Sequence, residues 1–290
     1  MPLSIKPYFS FLDKSFKESH TRSYIMAMQL NLHGLAFFIF NPEKNKFLGL
    51  EAYRFDVPKP AEELPGIFDL ILNQHGWYAY PYLDFYFLIQ NNYSTLIPSP
   101  LFDKKNKNLY LGFNQPFQED HRIVFDQLKN TETANVYYLP NPIAEKVKEF
   151  WPNARIHHYS SALIEGLSIN FKNKIDSNSL FIDLHEDNFD LVYFKENRLS
   201  YYNNFQFRTK EDFIYFLLST IEQLMLNPEE VQLIMMGNID KSTQNYEMIR
   251  QYIRHSEFIP RNENFHYSYM LDDVLHHNYY TLYNLLQCEL

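Results

Sequence analysis

Apolar and polar positions change period several times along the chain, and each change marks an element. Tyr24 to Leu32 is apolar with polar residues interleaved at Gln29 and Asn31. Leu35 to Phe40 is a short buried run, and Phe47 to Phe55 alternates again. Asn41-Pro42-Glu43-Lys44-Asn45, between the last two, is turn chemistry. The three segments read as strands. Ala61 to Gln74 then sets Leu64, Ile67, Phe68, Ile71 and Leu72 at helical spacing, and His75-Gly76 stops that helix. Beyond it the pattern predicts strands over 84–90, 109–113, 134–139 and 154–159. It predicts helices over 120–128, 141–151 and 160–167, with Pro142 in the first turn of the second.

Residues 172–179 are polar and aperiodic, and the pattern restarts after them. Leu180 to Leu184, Phe189 to Phe194 and Leu199 to Phe207 read as strands, with Lys195-Glu196-Asn197-Arg198 as a hairpin turn. Thr209 caps a helix that runs to about Leu226, and Val231 to Met236 is a buried strand broken by Gly237-Asn238. Helices over 243–253 and 270–286 complete the reading. The first two strands of each half align without a gap: Gln29 falls opposite Asp183, Asn31 opposite His185, Leu35 opposite Phe189 and Phe40 opposite Phe194. The chain is therefore read as a duplicated α/β protein of two domains, 1–170 and 171–290.

Composition narrows the function. The 290 residues carry 26 Lys and Arg against 35 Asp and Glu, a formal net charge of −9. That balance argues against nucleic acid as a partner, because phosphate binding needs several cations on one face. Lys104-Lys105-Asn106-Lys107 is read as a solvated loop. There are only 7 glycines, too few to suggest a loop wrapped around phosphates. One cysteine, Cys288, makes no disulfide, and neither a signal peptide nor a membrane span is legible, so the cytoplasm is the expected location.

Three strands, a helix, then strand-helix-strand-helix is the order of a ribonuclease-H-like unit. Two in tandem resemble the actin-like ATPase fold. Leu180 to His185 with its hairpin looks like the phosphate-contacting hairpin of that fold's second domain, and Leu233 to Asn238 looks like its adenosine-contacting strand end. Tyr137 to Gly166 is similar to the cytoplasmic actin-like proteins of type IV pilus assembly and type II secretion. The whole chain resembles an uncharacterised bacterial family assigned this fold. The resemblance implies a subdomain inserted in the first domain at about 84–130. It also implies that Asp183, His185, Gly237, Asn238, Gln29 and Asn31 mark the nucleotide-binding positions.

Those positions depart from the pattern. Active members carry an acid, then Gly, in the first hairpin of each domain. Here Gln29 stands at the first acidic position, and a neutral amide does not organise a metal-bound water as a carboxylate does. Asn31 and His185 stand where Gly admits the phosphates. Asp183 and Gly237 keep the pattern, while Asn238 replaces a second Gly. No catalytic or metal-binding set is assigned, and no cofactor. The favoured reading is a non-catalytic binding or scaffold protein. The alternative is an ATP-binding or weakly ATP-hydrolysing member of the superfamily, with magnesium. A nuclease ranks third, since Gln29 removes one carboxylate of a two-metal set.

His157-His158 and His276-His277 match no zinc spacing and are read as surface or satisfied core histidines. Trp77-Tyr78-Ala79-Tyr80-Pro81-Tyr82 packs four aromatics into six residues. Trp77, Tyr78, Tyr80 and Tyr82 are the candidate partner-binding residues, with filling of a small core as the alternative. The resemblance implies a protein or peptide partner there and peripheral association with a membrane protein, because pilus-type relatives hold such a peptide on this part of the fold.

Overall fold

The strand-forming stretches of the N-terminal half join one mixed sheet. In chain order they are β1 (Phe9–Leu12), β2 (Ile25–Asn31), β3 (Gly34–Asn41) and β4 (Lys46–Arg54), followed by helix α1 (Leu64–Leu72) and β5 (Asp84–Ile89). The computed structural model describes residues 5–73, 80–172 and 179–290. β2 and β3 pair antiparallel with Gln29 opposite Ala36 and Asn31 opposite Gly34. The two-residue turn Leu32-His33 is closed by Asn31 Oδ1, which accepts from the His33 amide at 2.9 Å. β3 is buried on both faces from Leu35 onward, which is why its sequence is an apolar run rather than an alternation.

After β5 the chain leaves the main sheet. β6 (Ser94–Pro98), α2 (Lys107–Asn114), β7 (His121–Leu128) and β8 (Thr133–Pro140) build a separate three-stranded sheet ordered β6-β8-β7. Its own core is Ile97, Leu111, Val136 and Tyr138. α3 (Asn141–Phe150) and β9 (Arg155–His158) then return to the main sheet, ordered β1-β4-β3-β2-β5-β9, before α4 (Tyr159–Phe171). Phe68 of α1, Phe87 of β5 and Val147 of α3 are fully buried in one cluster. Each large side chain buried there contributes about 1.5–3 kcal/mol.

Three expectations change here. β5, placed at the start of the insertion, pairs in parallel with β2 and is a strand of the main sheet. The separate subdomain therefore begins after Ile89. Residues 109–113, expected as a strand, are helix α2, because Leu111 is the buried position while Leu109 and Phe113, four apart, share the exposed face. Residues 121–128, expected as a helix, are strand β7, where β-branched Ile123 and Val124 pair with Tyr138 and Tyr137.

The second half repeats the first. β10 (Ser179–Leu184), β11 (Asn188–Lys195) and β12 (Arg198–Gln206) lead into α5 (Lys210–Gln223), β13 (Gln232–Gly237), α6 (Gln244–Tyr252) and β14 (His255–Phe258), with sheet order β12-β11-β10-β13-β14. This matches β4-β3-β2-β5-β9. The alignment read from sequence holds at the level of register: Asp183 pairs with Asp190 just as Gln29 pairs with Ala36. Even the irregularities coincide, falling between Ile39 and Phe40 and between Tyr193 and Phe194. Glu196 and Asn197, both with positive φ, make the tight β11–β12 turn. Thr209 and Asp212 close a capping box at the start of α5.

Beyond β14 the chain adds a short strand, β15 (His266–Tyr267), parallel to β4. The single helix expected over 270–286 is instead a set of short turns around α7 (Tyr280–Asn284). Tertiary bonds override helical propensity there. His277 Nε2 meets the Ile239 carbonyl at 2.7 Å, and the amides of Val274 and Asn278 bond three residues back. By contacts, one compact unit is Met1–Leu163 with Glu263–Val274 and Cys288–Leu290. The other is Ile164–Asn262 with Leu275–Gln287. His75, Gly76, Trp77 and Tyr78 lie outside the described residues.

Candidate functional site

In the second unit, β10 and β11 place two carboxylates face to face. Asp183 and Asp190 are Cα partners and are 2% and 3% exposed. Like charges directly opposite on paired strands repel. His185, at the turn, supplies the compensation: its Nε2 lies 3.1 Å from Asp190 Oδ2 and 4.0 Å from Asp183 Oδ1. The other Asp190 oxygen, Oδ1, accepts from Tyr202 Oη at 2.8 Å and Asn204 Nδ2 at 3.0 Å, both on β12. Burial disfavours the imidazolium, but Asp183, Asp190 and Glu186 outweigh it and lift the His185 pKa to about 9. At neutral pH this histidine is a cation held between two acids.

The end of β13 closes the cluster from the neighbouring strand. Gly237 has φ +83°, and a Cβ there would stand 2.2 Å from the Leu184 carbonyl oxygen and 2.4 Å from Asp183 Oδ1. Only glycine fits. Asn238 donates its amide to the Leu184 carbonyl at 2.6 Å and its Nδ2 to Glu186 Oε1 at 3.2 Å.

The equivalent place in the first unit is uncharged. Gln90 Oε1 accepts from Gln29 Nε2 at 2.9 Å and from Asn31 Nδ2 at 2.8 Å. Gln90 follows β5 as Asn238 follows β13, because Ile89 pairs with Leu30 as Gly237 pairs with Leu184. Three carboxamides thus occupy one hairpin end, and two carboxylates and an imidazole occupy the other.

Sequence reasoning found Gln29 and Asn31, and Asp183, His185, Gly237 and Asn238; within its own unit each set comes together. It missed Gln90, Asp190, Tyr202 and Asn204. Asp190 carried a signal, as the one charged residue inside the apolar run Phe189 to Phe194. A two-residue turn between His185 and Asn188 would have placed it opposite Asp183. Asp183, His185 and Asp190 bring their side-chain nitrogen and oxygen atoms within 4.8 Å of one another, so among the described residues this is the group that could hold a metal ion, once the His185 imidazole gives up its proton.

The histidine pairs are satisfied core and surface groups. His157 Nδ1 meets Asp126 Oδ1 at 2.9 Å, and His158 bonds Ser160 Oγ and the Asn91 carbonyl. His276 and His277 bond backbone carbonyls. Of the aromatic segment, Trp77 and Tyr78 fall outside the described residues. Tyr80 is half-buried and hydrogen-bonded to Glu18. Tyr82 packs against two hydrophobic clusters, which supports the core-filling alternative for that residue. Both line a groove of about 520 Å³ with Phe85, Phe150, Trp151 and Ala154. Phe85 and Trp151 stack at 3.8 Å. Among the described residues no helix is long and apolar enough to cross a membrane.

Comparison with solved structures identifies the fold. A protein of unknown function with an actin-like ATPase fold from Bacteroides thetaiotaomicron matches with TM-score 0.76 at 21% identity, over 84% of this chain and 93% of that one. The PilM–PilN type IV pilus biogenesis complex matches with TM-score 0.59 at 11% identity, over 92% and 97%. The ethanolamine utilization protein EutJ from Carboxydothermus hydrogenoformans matches with TM-score 0.52 at 7% identity, over 95% and 91%. No protein of curated function matches the sequence. The fold is that of the actin-like ATPases, two ribonuclease-H-like domains in tandem. Residues 13–256 match the signature of the protein family of unknown function DUF3822, and the chain belongs to that family.

Proposed function

We propose that this chain is a non-catalytic binding or scaffold protein on an actin-like ATPase fold, recognising a protein or peptide rather than turning over a nucleotide. The observation that carries this reading is the first hairpin end. Gln29, Asn31 and Gln90 bond to one another there, and none supplies the charge that would position magnesium or activate water. At the second hairpin end the His185 side chain lies on the acids where the fold's active members have glycine and room for phosphate oxygens.

Support for a polypeptide partner comes from two sides. The groove beside Tyr80 and Tyr82 is lined mainly by aromatic and apolar residues, with Asp84, Glu149 and Asn153 among them, and aromatic side chains are preferred anchors where peptides bind. One structural neighbour was solved as a PilM–PilN complex. A cytoplasmic location, with peripheral attachment through a membrane-protein partner, goes with this reading. Nucleotide binding is the second reading, favoured by Asp183 and by Gly237 with its left-handed backbone.

A thermal-shift titration with Mg-ATP separates the two. A ligand at a hundredfold its dissociation constant stabilises by about 2.7 kcal/mol. The expected result is no shift at millimolar nucleotide. A saturable shift that Asp183→Asn removes would replace the scaffold reading with the nucleotide one.

A further inference from the structure

The duplication gives the two sheets equivalent third strands, and their outer edges differ. In the first unit β4 is covered. β1 pairs with it antiparallel, from Phe9 opposite Ala52 to Leu12 opposite Gly49, and β15 pairs farther along. Residues 49–52 are accordingly buried. In the second unit the third strand is β12. Ala36 pairs with Ala52 as Asp190 pairs with Asn204, and Ile39 with Gly49 as Tyr193 with Tyr201, so 49–52 correspond to 201–204. β12 ends its sheet, and among the described residues no strand lies beyond it. Asn203 is exposed where Glu51, its equivalent, is buried. The stretch that would correspond to β1, residues 163–166, lies inside α4.

Sheet edges are ordinarily kept from pairing by charge, proline or short length. β12 is nine residues long, and from Leu199 to Phe207 it carries neither a charge nor a proline. Its register shift lies at the turn end and leaves residues 201–206 regular.

The side chains point to what pairs there. Tyr201, Asn203 and Phe205 share one face. Tyr201 and Phe205 pack against the second unit's core, while Asn203 between them is exposed. An antiparallel copy of β12 centred on Asn203 sets Tyr201 opposite Phe205 on either side of the axis, and aromatic pairs are favourable across strands. It sets Asn203 opposite itself. An amide holds both donor and acceptor and so complements its own copy, as a carboxylate or an ammonium cannot. The backbone fits the same register. On β4 the Leu48 and Ala52 carbonyls accept from the Asp13 and Tyr8 amides across the outer edge, at 2.6 and 2.7 Å. Their equivalents on β12 are Ser200 and Asn204. The two-fold sets Ser200 against Gln206, an even number of residues along, so outward backbone groups meet outward backbone groups.

We propose that two copies of this chain join through β12, antiparallel about a two-fold axis at Asn203, so that one sheet runs through both. The contact is isologous, each strand giving the other what it receives.

Sedimentation velocity of the full chain over a concentration series tests this. The wild type should pass from monomer to dimer at micromolar concentration, as suits a small interface. Asn203→Lys and Asn203→Glu each bring like charges face to face and should raise the dimer dissociation constant by more than about tenfold. An equal mixture of the two variants should recover the dimer, because opposite charges then meet at the axis. The position is exposed, and an unchanged circular dichroism spectrum verifies that each variant is folded. A wild-type chain that stays monomeric overturns the proposal and leaves the edge to a strand of another protein. A dimer that neither variant weakens, or that mixing does not restore, overturns it as well and assigns association to another surface or register.

Discussion

Replacing His185 by Gln removes the cation between Asp183 and Asp190 while keeping a hydrogen-bonding side chain. The imidazole titrates at about 9 rather than 6.5, so folding favours its protonated form. That preference is worth about 3 kcal/mol at full protonation. Because the folded value is raised, the contribution is complete below pH 6.5, fades between 6.5 and about 9, and is absent above. Urea unfolding at a series of pH values, followed by far-ultraviolet circular dichroism, reads this directly. Fluorescence would not, since neither tryptophan, Trp77 or Trp151, belongs to the stretches of sequence that make the second unit. At pH 6 the variant should be less stable by about 2–3 kcal/mol, and near pH 10 the difference should shrink below about 1 kcal/mol, when the wild-type imidazole is neutral. Parallel pH profiles would refute the cationic clamp, as would a His185 resonance titrating near its ordinary value by nuclear magnetic resonance.

Gly237→Ala forces a Cβ against the Leu184 backbone at positive φ, and a loss of at least about 2 kcal/mol in denaturant unfolding is expected. Phe68→Ala opens a cavity in the first unit's core and should cost about 3–5 kcal/mol. Asp13 is buried, which disfavours its charge, yet Lys46, Ser268 and Ser15 hold its carboxyl well below the usual range. Its contribution is present at neutral pH and lost as pH falls, so Lys46→Met should raise the acid-unfolding midpoint. Trp77→Ala/Tyr80→Ala should abolish capture of a partner while leaving the circular dichroism spectrum intact; loss of the fold instead would assign these rings to core filling.

The duplication was legible because each half begins with the same apolar spacing, and that spacing carried the register down to Gln29 and Asp183. α5 was legible from Thr209 and its following acids, which cap as their chemistry dictates. The inserted subdomain was not. Leu109 and Phe113 are apolar but exposed, so the rule that apolar residues point inward misread α2. Ile123 and Val124 were passed over beneath a run of polar neighbours. The C-terminal turns were hidden because their bonds, such as His277 to Ile239, link residues far apart in sequence. At the site, the residues on the resemblance were found. Gln90, Tyr202 and Asn204 were not, since their roles follow only from strand pairing across the sheet.

The route of the chain carries a consequence for synthesis. It changes unit at Leu163, Asn262, Val274 and Gln287, so neither unit is a continuous stretch. β15 joins the edge of β4 more than half a chain after β4 has been made, and Asn45 Nδ2 waits for the Asn264 carbonyl at 2.6 Å. Emerging from a ribosome, the first unit would present β4 with part of its border unfilled until the last residues arrive. A truncation after Phe171 would leave that border bare in the N-terminal fragment and an incomplete body in the other. Bare strand borders invite pairing with other chains. The two halves are repeats in architecture but not independent parcels in manufacture.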